Sequence, residues 1–213
     1  MLFHDRVDAG RRLAKHLSKR VQGECVVLAI PRGGVVVGYE VAKMLNCPLD
    51  VVISRKVGAP SQPELAVGAV AEDGTLFVDE EIARVVGAAD EYIRQKAAEE
   101  SWEARRRAEV YRGGRPMQEL KGRTVILVDD GLATGLTMKA AVHMARNKQA
   151  EKIIVAVPVA PPETVEKLKK LADEVVCLET PADFFAIGQF YDRFEQLSDE
   201  EVVSILSRSR GDG

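Results

Sequence analysis

The 213-residue sequence is poor in the residues that build metal sites and disulfide frameworks, with three cysteines and three histidines. Cys25, Cys47 and Cys177 show no Cys-x-x-Cys spacing, and no histidine lies at a metal-binding interval from them. This scarcity excludes a zinc-finger or disulfide-scaffold class. We expect small buried cysteines in a reducing compartment.

Long apolar runs and surplus positive charge are also lacking. No apolar run approaches the ~18 residues of a membrane helix, and the start, Met-Leu-Phe-His-Asp-Arg, has no apolar secretion signal. The net charge of -3 gives no global basic field to hold nucleic acid. We therefore expect a cytoplasmic globular protein whose partners include neither a membrane nor nucleic acid.

Short apolar runs alternate with segments of helical pattern along the chain. Buried strands are predicted at 25–30, 49–54, 124–128, 152–159 and 174–178. Such alternation indicates a parallel sheet with helices on both faces. The sequence therefore predicts one α/β domain over residues 1–213, with three α/β/α layers and a mostly parallel twisted sheet.

Three segments depart from this alternation. Residues 55–63 contain two prolines and a glycine, which predicts irregular structure, and a hairpin around Asp73-Gly74 follows. Residues 80–115 are predicted to be a helical insertion, and its charged stretch, 88–112, is either a solvated helix face or an oligomer contact. The aromatic stretch 180–194 is predicted to be irregular, ahead of a final helix.

The segment from 125 to 137 carries the strongest functional pattern. An apolar strand ends at Asp129 and Asp130, and a glycine- and threonine-rich loop then opens a helix. Free amides and the helix dipole at such a start bind anions, and glycines let the backbone approach a phosphate closely. The residues that we assign to this phosphate loop are Gly131, Ala133, Thr134, Gly135, Leu136 and Thr137.

The two adjacent carboxylates need a different ligand, because they repel a phosphate. They suit vicinal hydroxyls, which donate hydrogen bonds to carboxylates, or a divalent cation. A phosphate beside a diol is a ribose 5-phosphate unit. The loop has neither the lysine of a Walker loop nor the glycine spacing of dinucleotide folds.

The run Asp129-Asp-Gly-Leu-Ala-Thr-Gly-Leu-Thr137 resembles the phosphoribosyl pyrophosphate signature of type I phosphoribosyltransferases. The resemblance implies that Asp129 and Asp130 hold the ribose hydroxyls and, through those hydroxyls or water, Mg²⁺. It also implies that residues 133–137 wrap the 5-phosphate. Some purine members carry an aspartate where Ala133 stands, so a base contact from this loop is not expected.

The loop Ile30-Pro-Arg-Gly-Gly34 resembles the family's pyrophosphate loop. Arg32 would supply charge, while Gly33 and Gly34 would supply amides ahead of a helix. This loop often contains a cis peptide that does not precede proline, and the Arg32–Gly33 bond is our candidate for it.

Two further parts of the family pattern concern the lid and the acceptor. The run Ser54-Arg-Lys-Val-Gly58 resembles the start of the family's flexible lid, which we place at 56–74, with Arg55 binding substrate and Lys56 meeting the pyrophosphate. Glu64 lies in this lid and could position the acceptor base. A small hood at 180–194 would read the acceptor, a flat ring stacking on its aromatics. These hood residues are Phe184, Phe185 and Tyr191.

The likeness extends from about residue 3 to residue 200 and is greatest for bacterial and archaeal phosphoribosyltransferases of unassigned acceptor, which share Pro-Arg-Gly-Gly and Arg-Lys-Val-Gly-Ala-Pro. It implies a homodimeric enzyme that transfers ribose 5-phosphate from Mg²⁺-phosphoribosyl pyrophosphate to a nitrogenous base. The alternative is a regulator that binds the same ligand without chemistry. Such regulators usually carry an added DNA-binding domain or a basic RNA-binding face, and we detect neither.

Overall fold

A five-stranded parallel sheet forms the centre of the computed structural model, which describes residues 2–212. Its strand order is β2-β1-β6-β7-β8. The five strands are β1 (Cys25–Ala29), β2 (Leu49–Val51), β6 (Thr124–Val128), β7 (Lys152–Val159) and β8 (Glu174–Glu179). These are the five buried runs of the sequence, so the predicted parallel α/β sheet is confirmed.

Helices cover both faces of this sheet. The helices are α1 (Arg6–Leu17), α2 (Gly33–Leu45), α3 (Glu80–Val85), α4 (Asp90–Arg112), α5 (Leu136–Asn147), α6 (Pro162–Lys169) and α7 (Asp199–Arg210). Side chains alternate along a strand, so Val27 and Ala29 pack with α1, α2 and α7, whereas Val26 and Leu28 pack with α5 and α6. The three predicted layers are therefore present.

A second, antiparallel sheet lies beside the first. It contains β3 (Ser54–Gly58), β4 (Ala66–Ala71) and β5 (Leu76–Val78) in that order. The hairpin between β4 and β5 was predicted, but the irregular structure predicted for 55–63 is wrong for residues 55–58. The reason is non-local, because β3 takes its hydrogen bonds from β4 and buries Val57. The predicted lid at 56–74 thus contains the end of β3 and all of β4, and the loop between these two strands is 59–65.

A buried ion cluster attaches this second sheet and α4 to the core. Arg112, the last residue of α4, donates from Nε to Asp50 of β2 (3.0 Å) and from Nη2 to Glu72 (2.8 Å) and to the carbonyl oxygen of Val51 (2.7 Å). All three charged side chains are buried. The helical insertion is therefore fixed to β2 through its C-terminal end.

The cysteines differ from our expectation. Cys25 at the start of β1 and Cys47 just after α2 form a disulfide, with their Cα atoms 5.6 Å apart. They meet because α2 returns along β1, which brings its end beside the start of the strand. Cys177 is a free thiol, and burial raises its pKa to about 11. Within residues 2–212, the helices are all too short or too polar to cross a membrane.

Candidate phosphoribosyl-binding site

The predicted phosphate loop lies between the end of β6 and the start of α5. Gly135 caps α5 with a φ of +75°, a left-handed conformation that favours glycine. The hydroxyl of Thr164 in α6 donates to the carbonyl oxygen of Ala133 (2.5 Å) and fixes the outer side of the loop. The first amides of α5 therefore face the space beyond the carboxyl ends of the strands, where α/β proteins bind ligands.

The two acids of this loop have different surroundings. Asp130 is buried and paired with Arg6, whose Nε lies 2.9 Å from Oδ2. Asp129 is partly exposed, and its Oδ1 accepts a hydrogen bond from the amide of Asp130 (2.8 Å). Desolvation of this partly buried carboxylate, together with the neighbouring charge of Asp130, raises the pKa of Asp129 well above its ordinary value. Of these two acids, only Asp130 has a cationic side chain hydrogen-bonded to its carboxylate within residues 2–212.

Arg6 is a site residue that the sequence did not reveal. Besides the Asp130 pair, its Nη1 donates to the carbonyl oxygen of Glu195 (2.7 Å), and its guanidinium carbon lies 4.0 Å from the ring centroid of Phe194. It therefore joins the start of α1 to residues 129–137, which we call the acid loop, and to the chain that follows the hood. No local pattern marks this residue, because its partner lies 124 positions away.

The structure brings the predicted pyrophosphate loop against the acid loop. A Cβ atom at Gly33 would collide with the carboxylate of Asp130, and one at Gly34 would lie 3.0 Å from the Cα of Asp129. Both glycines are therefore required by close packing, and the two loops lie in contact. The predicted Arg32–Gly33 cis bond is wrong, since the cis peptide is Pro31–Arg32. Arg32 already has right-handed helical angles, so the bond that follows it belongs to the regular first turn of α2.

Arg32 points away from the acids. Its Nε donates to Asp199 at the start of α7 (3.0 Å), and this hydrogen bond raises the pKa of the guanidinium. The hydroxyl of Tyr111 in α4 donates to the same carboxylate (2.6 Å). Arg32 thereby lines a cleft of about 410 Å³ on the β2 side of the pyrophosphate loop. The polar residues of this cleft, which we call the arginine cleft, are Arg32, Ser54, Arg55, Arg107 and Tyr111.

Arg55 and Lys56 lie on opposite faces of β3. Arg55 faces the arginine cleft and is held by Glu100 of α4, with Nε and Oε2 2.6 Å apart. Lys56 is exposed and lies opposite Ala69 of β4, which packs against Leu136 at the start of α5. The structure therefore places Arg55 beside Arg32 and places Lys56 on the sheet face nearest the phosphate loop.

The three hood aromatics are presented very differently. Tyr191 is 2% exposed, and its hydroxyl donates to the carbonyl oxygen of Asp130 (2.6 Å), so its ring supports the acid loop and is not offered for stacking. Phe184 packs on Phe190, with ring centroids 5.1 Å apart. Phe185 is 89% exposed. The side-chain oxygen of Gln189 accepts from the amide of Phe185 (2.7 Å) and holds the hood turn in shape.

The resemblance implies a Mg²⁺ ion near Asp129 and Asp130, and the side chains present there indicate how such an ion could be held. Within residues 2–212, no group of three or more histidine, cysteine or acidic side chains is arranged to hold a metal. One partly exposed carboxylate and one ion-paired carboxylate remain. Mg²⁺ in proteins often keeps several waters and binds through one or two carboxylates plus phosphate oxygens. The residues present therefore fit a Mg²⁺ ion that arrives with its ligand, and they do not form a protein-only cage.

A parallel sheet with an acid pair and a glycine- and threonine-rich loop at its carboxyl edge is an α/β architecture of the kind that binds ligands at the strand ends. The model of the phosphoribosyl transferase domain matches residues 3–194, and the chain belongs to that family.

Individual relatives agree with this assignment. A protein of Mycobacterium tuberculosis strain H37Rv named "Putative phosphoribosyl transferase" is 49% identical over 99% of this chain, which spans 48% of that protein. The chain thus covers about half the length of the curated relatives it matches. The crystal structure of TT1426 from Thermus thermophilus is 48% identical, with a TM-score of 0.85 and coverage of 98% of this chain and 99% of that one.

A distant structure shares the fold. The purine phosphoribosyltransferase of Pyrococcus horikoshii is 16% identical, with a TM-score of 0.51 over 92% of this chain and 96% of that one. At this identity the likeness concerns the architecture alone.

Proposed function

We propose that this chain is a phosphoribosyltransferase that transfers ribose 5-phosphate from phosphoribosyl pyrophosphate to a nitrogenous base and releases pyrophosphate. The observation that carries the proposal is the contact between the acid loop and the pyrophosphate loop at Gly33 and Gly34. A ligand with a ribose ring over Asp129 and Asp130 then has its 5-phosphate toward the start of α5. Its pyrophosphate lies toward the start of α2.

The reaction needs no covalent nucleophile, because pyrophosphate is already a good leaving group. A nitrogen of the acceptor attacks ribose C1 while the bond from C1 to pyrophosphate breaks, and positive charge develops on the sugar. The amides of Gly33 and Gly34 and the guanidinium groups of Arg32 and Arg55 would offset the charge that grows on pyrophosphate. Mg²⁺, when bound with the ligand, would neutralise phosphate charge at the same end.

The hood supports an acceptor with a flat ring. Of the three aromatics considered, Phe185 has the exposed face, whereas Tyr191 is committed to Asp130. Ala133 offers no carboxylate to a base, so recognition of the acceptor would fall to the hood. Lys56, which the sequence predicted to meet the pyrophosphate, lies on the face nearest α5, and we propose that it contacts the 5-phosphate instead.

Two measurements test this function. Calorimetry with phosphoribosyl pyrophosphate should show binding that depends on Mg²⁺, and EDTA should abolish most of it. A screen of free bases with Mg²⁺ and phosphoribosyl pyrophosphate should then identify an acceptor by the release of pyrophosphate. Tight binding with no release for any base would instead support a regulator that uses the same site, and the absence of binding would contradict both.

A further inference from the structure

The arginine cleft joins three cations from distant parts of the chain. Arg32 follows β1, Arg55 lies in β3, and Arg107 belongs to α4 of the helical insertion. Arg32 and Arg55 each donate from Nε to a carboxylate. The acceptors are Asp199 and Glu100, respectively. This arrangement orients both guanidinium groups, and their terminal amino groups stay available for another anion.

Two buried polar atoms in this cleft lack partners. Among residues 2–212, the buried side-chain atoms without a hydrogen bond are Oγ of Ser54 and Nε of Arg107, and both residues line the arginine cleft. The nearest carboxylate to Arg107, that of Glu103, lies 3.5 Å from Nε and forms an ion pair without hydrogen-bond geometry. Burying a donor without an acceptor is costly, so a pair of such atoms at one place points to a ligand.

The neighbouring residue of α4 provides a contrast. Arg106 is 55% exposed and makes two hydrogen bonds to the same Glu103 carboxylate, one of them 3.0 Å from Nε to Oε2. Its donors are thus satisfied at the surface. The Glu103 carboxylate therefore accepts its hydrogen bonds from Arg106. The Nε donor of Arg107 is left without a hydrogen bond on the side of the cleft.

We propose that Arg107 and Ser54 complete the binding site for the pyrophosphate end of the ligand, so that the helical insertion contributes directly to substrate recognition. The proposal rests on the proposed function. The cleft adjoins Pro31 and Arg32, which lead directly into the amides of Gly33 and Gly34, so one diphosphate can contact both. Planar guanidinium groups bind phosphate oxygens through paired hydrogen bonds, and a diphosphate offers enough oxygens for three of them.

The site needs no lid closure. Arg32 and Arg55 are held by Asp199 and Glu100. The helix α4, which carries Arg107, is fixed to β2 through Arg112, so most of the site is arranged before the ligand arrives. Binding then loses little side-chain freedom, which favours affinity.

The test uses inorganic pyrophosphate and ribose 5-phosphate as separate probes, titrated by calorimetry into the full chain with Mg²⁺. Arg107→Ala should weaken pyrophosphate binding about 10-fold or more, because it removes hydrogen bonds to a charged ligand. It should leave ribose 5-phosphate binding unchanged. Arg107→Lys should restore part of the loss, and Arg106→Ala, the matched control on the same helix, should change neither affinity.

Ser54→Ala is a second variant with little risk to the fold, since the hydroxyl that it removes has no partner. It should keep the melting temperature and weaken pyrophosphate several-fold. Unchanged pyrophosphate affinity in both Arg107→Ala and Ser54→Ala would overturn the inference. If the unmodified chain binds pyrophosphate but not ribose 5-phosphate, the proposed function fails while the cleft assignment stands. If the unmodified chain binds ribose 5-phosphate but not pyrophosphate, the assignment of the cleft fails, while the assignment of the acid loop to the ribose stands.

Discussion

The acid loop and the arginine cleft lie on opposite sides of the pyrophosphate loop and are built in opposite ways. The acid loop is one continuous segment, 129–137, whose two carboxylates follow a buried strand. The arginine cleft is assembled from the ends of β1 and β2, from β3 and from α4, and its side chains are cationic. In the function that we propose, a local motif would bind the ribose and a tertiary arrangement would bind the leaving group.

The two regions also differ in how their charges are balanced. In the arginine cleft each guanidinium lies beside a carboxylate from another turn or element, so its positive charges are largely balanced. In the acid loop Asp130 is paired with Arg6, whereas Asp129 has no ion pair among residues 2–212. We therefore expect substitutions in the arginine cleft to change ligand affinity by disturbing contacts between elements. Substitutions in the acid loop should change stability and affinity through the charge of the single residue replaced.

The largest expected effect on stability concerns the buried cluster that fixes the insertion to the core. Arg112→Met removes the cation between Asp50 and Glu72, which leaves two buried carboxylates without compensation. Breaking a buried ion pair in this way costs about 3–5 kcal/mol of the free energy of unfolding. Urea denaturation measures it. Arg115→Ala, a surface control whose side chain is 54% exposed, should cost less than about 1 kcal/mol.

The same variant distinguishes the two regions. Where enough Arg112→Met protein remains folded, its affinity for pyrophosphate should fall, because α4 carries Arg107, while ribose 5-phosphate binding persists. Equal loss of both ligands would show that the insertion does not affect the cleft selectively.

An intermediate effect is expected from Arg6→Gln. The substitution leaves Asp130 buried without its cation, and it removes the bond to the carbonyl oxygen of Glu195. We expect the free energy of unfolding to fall by about 1–3 kcal/mol. The stability of Arg6→Lys should lie between that of Arg6→Gln and that of the unmodified chain. Arg11→Ala, 68% exposed on the same helix, is the control. A variant as stable as the unmodified chain would mean that the pair with Asp130 adds nothing to the fold.

The smallest effect is a change in the pH dependence of stability. Because the folded state raises the pKa of Asp129, it binds this proton more tightly than the unfolded chain does. The contribution of Asp129 to stability is therefore present below its ordinary pKa and is lost as the pH rises through the folded value. Asp129→Asn should become progressively more stable than the unmodified chain over that range, as measured by thermal melting at several pH values. A constant difference across the range would contradict the raised pKa.

The fold could be predicted where the chemistry is local. Parallel strands buried on both faces leave continuous apolar runs such as 25–30 and 152–159, and these runs became β1 and β7. The acid loop was equally visible, because its acids, glycines and hydroxyls are contiguous. The strand β3 was missed, since its hydrogen bonds come from β4, and the prolines beyond Gly58 concealed it.

The partners of the site residues could not be predicted. Nothing near Arg6 in the sequence indicates its contact with Asp130, and nothing near Arg107 indicates that it lines one cleft with Ser54, because both arrangements arise only after the sheet has formed. The disulfide between Cys25 and Cys47 is similar, since their spacing of 22 residues becomes a contact only when α2 packs along β1. The aromatic character of the hood was visible in the sequence, but which ring is exposed depends on the packing of Tyr191 beneath Asp130.

We propose that the acid loop binds the ribose and that the pyrophosphate loop and the arginine cleft bind the pyrophosphate. The most direct test is calorimetry on Asp129→Asn/Asp130→Asn with ribose 5-phosphate and inorganic pyrophosphate, after thermal melting has shown that the double variant is folded. Asp129→Asn alone, which retains the Arg6 pair, is the companion variant if the double variant melts early. We predict that the double variant loses about 100-fold or more in affinity for ribose 5-phosphate, because two hydrogen bonds to charged groups are lost, and that pyrophosphate binds as before. Normal binding of ribose 5-phosphate by the folded double variant would contradict the ribose assignment.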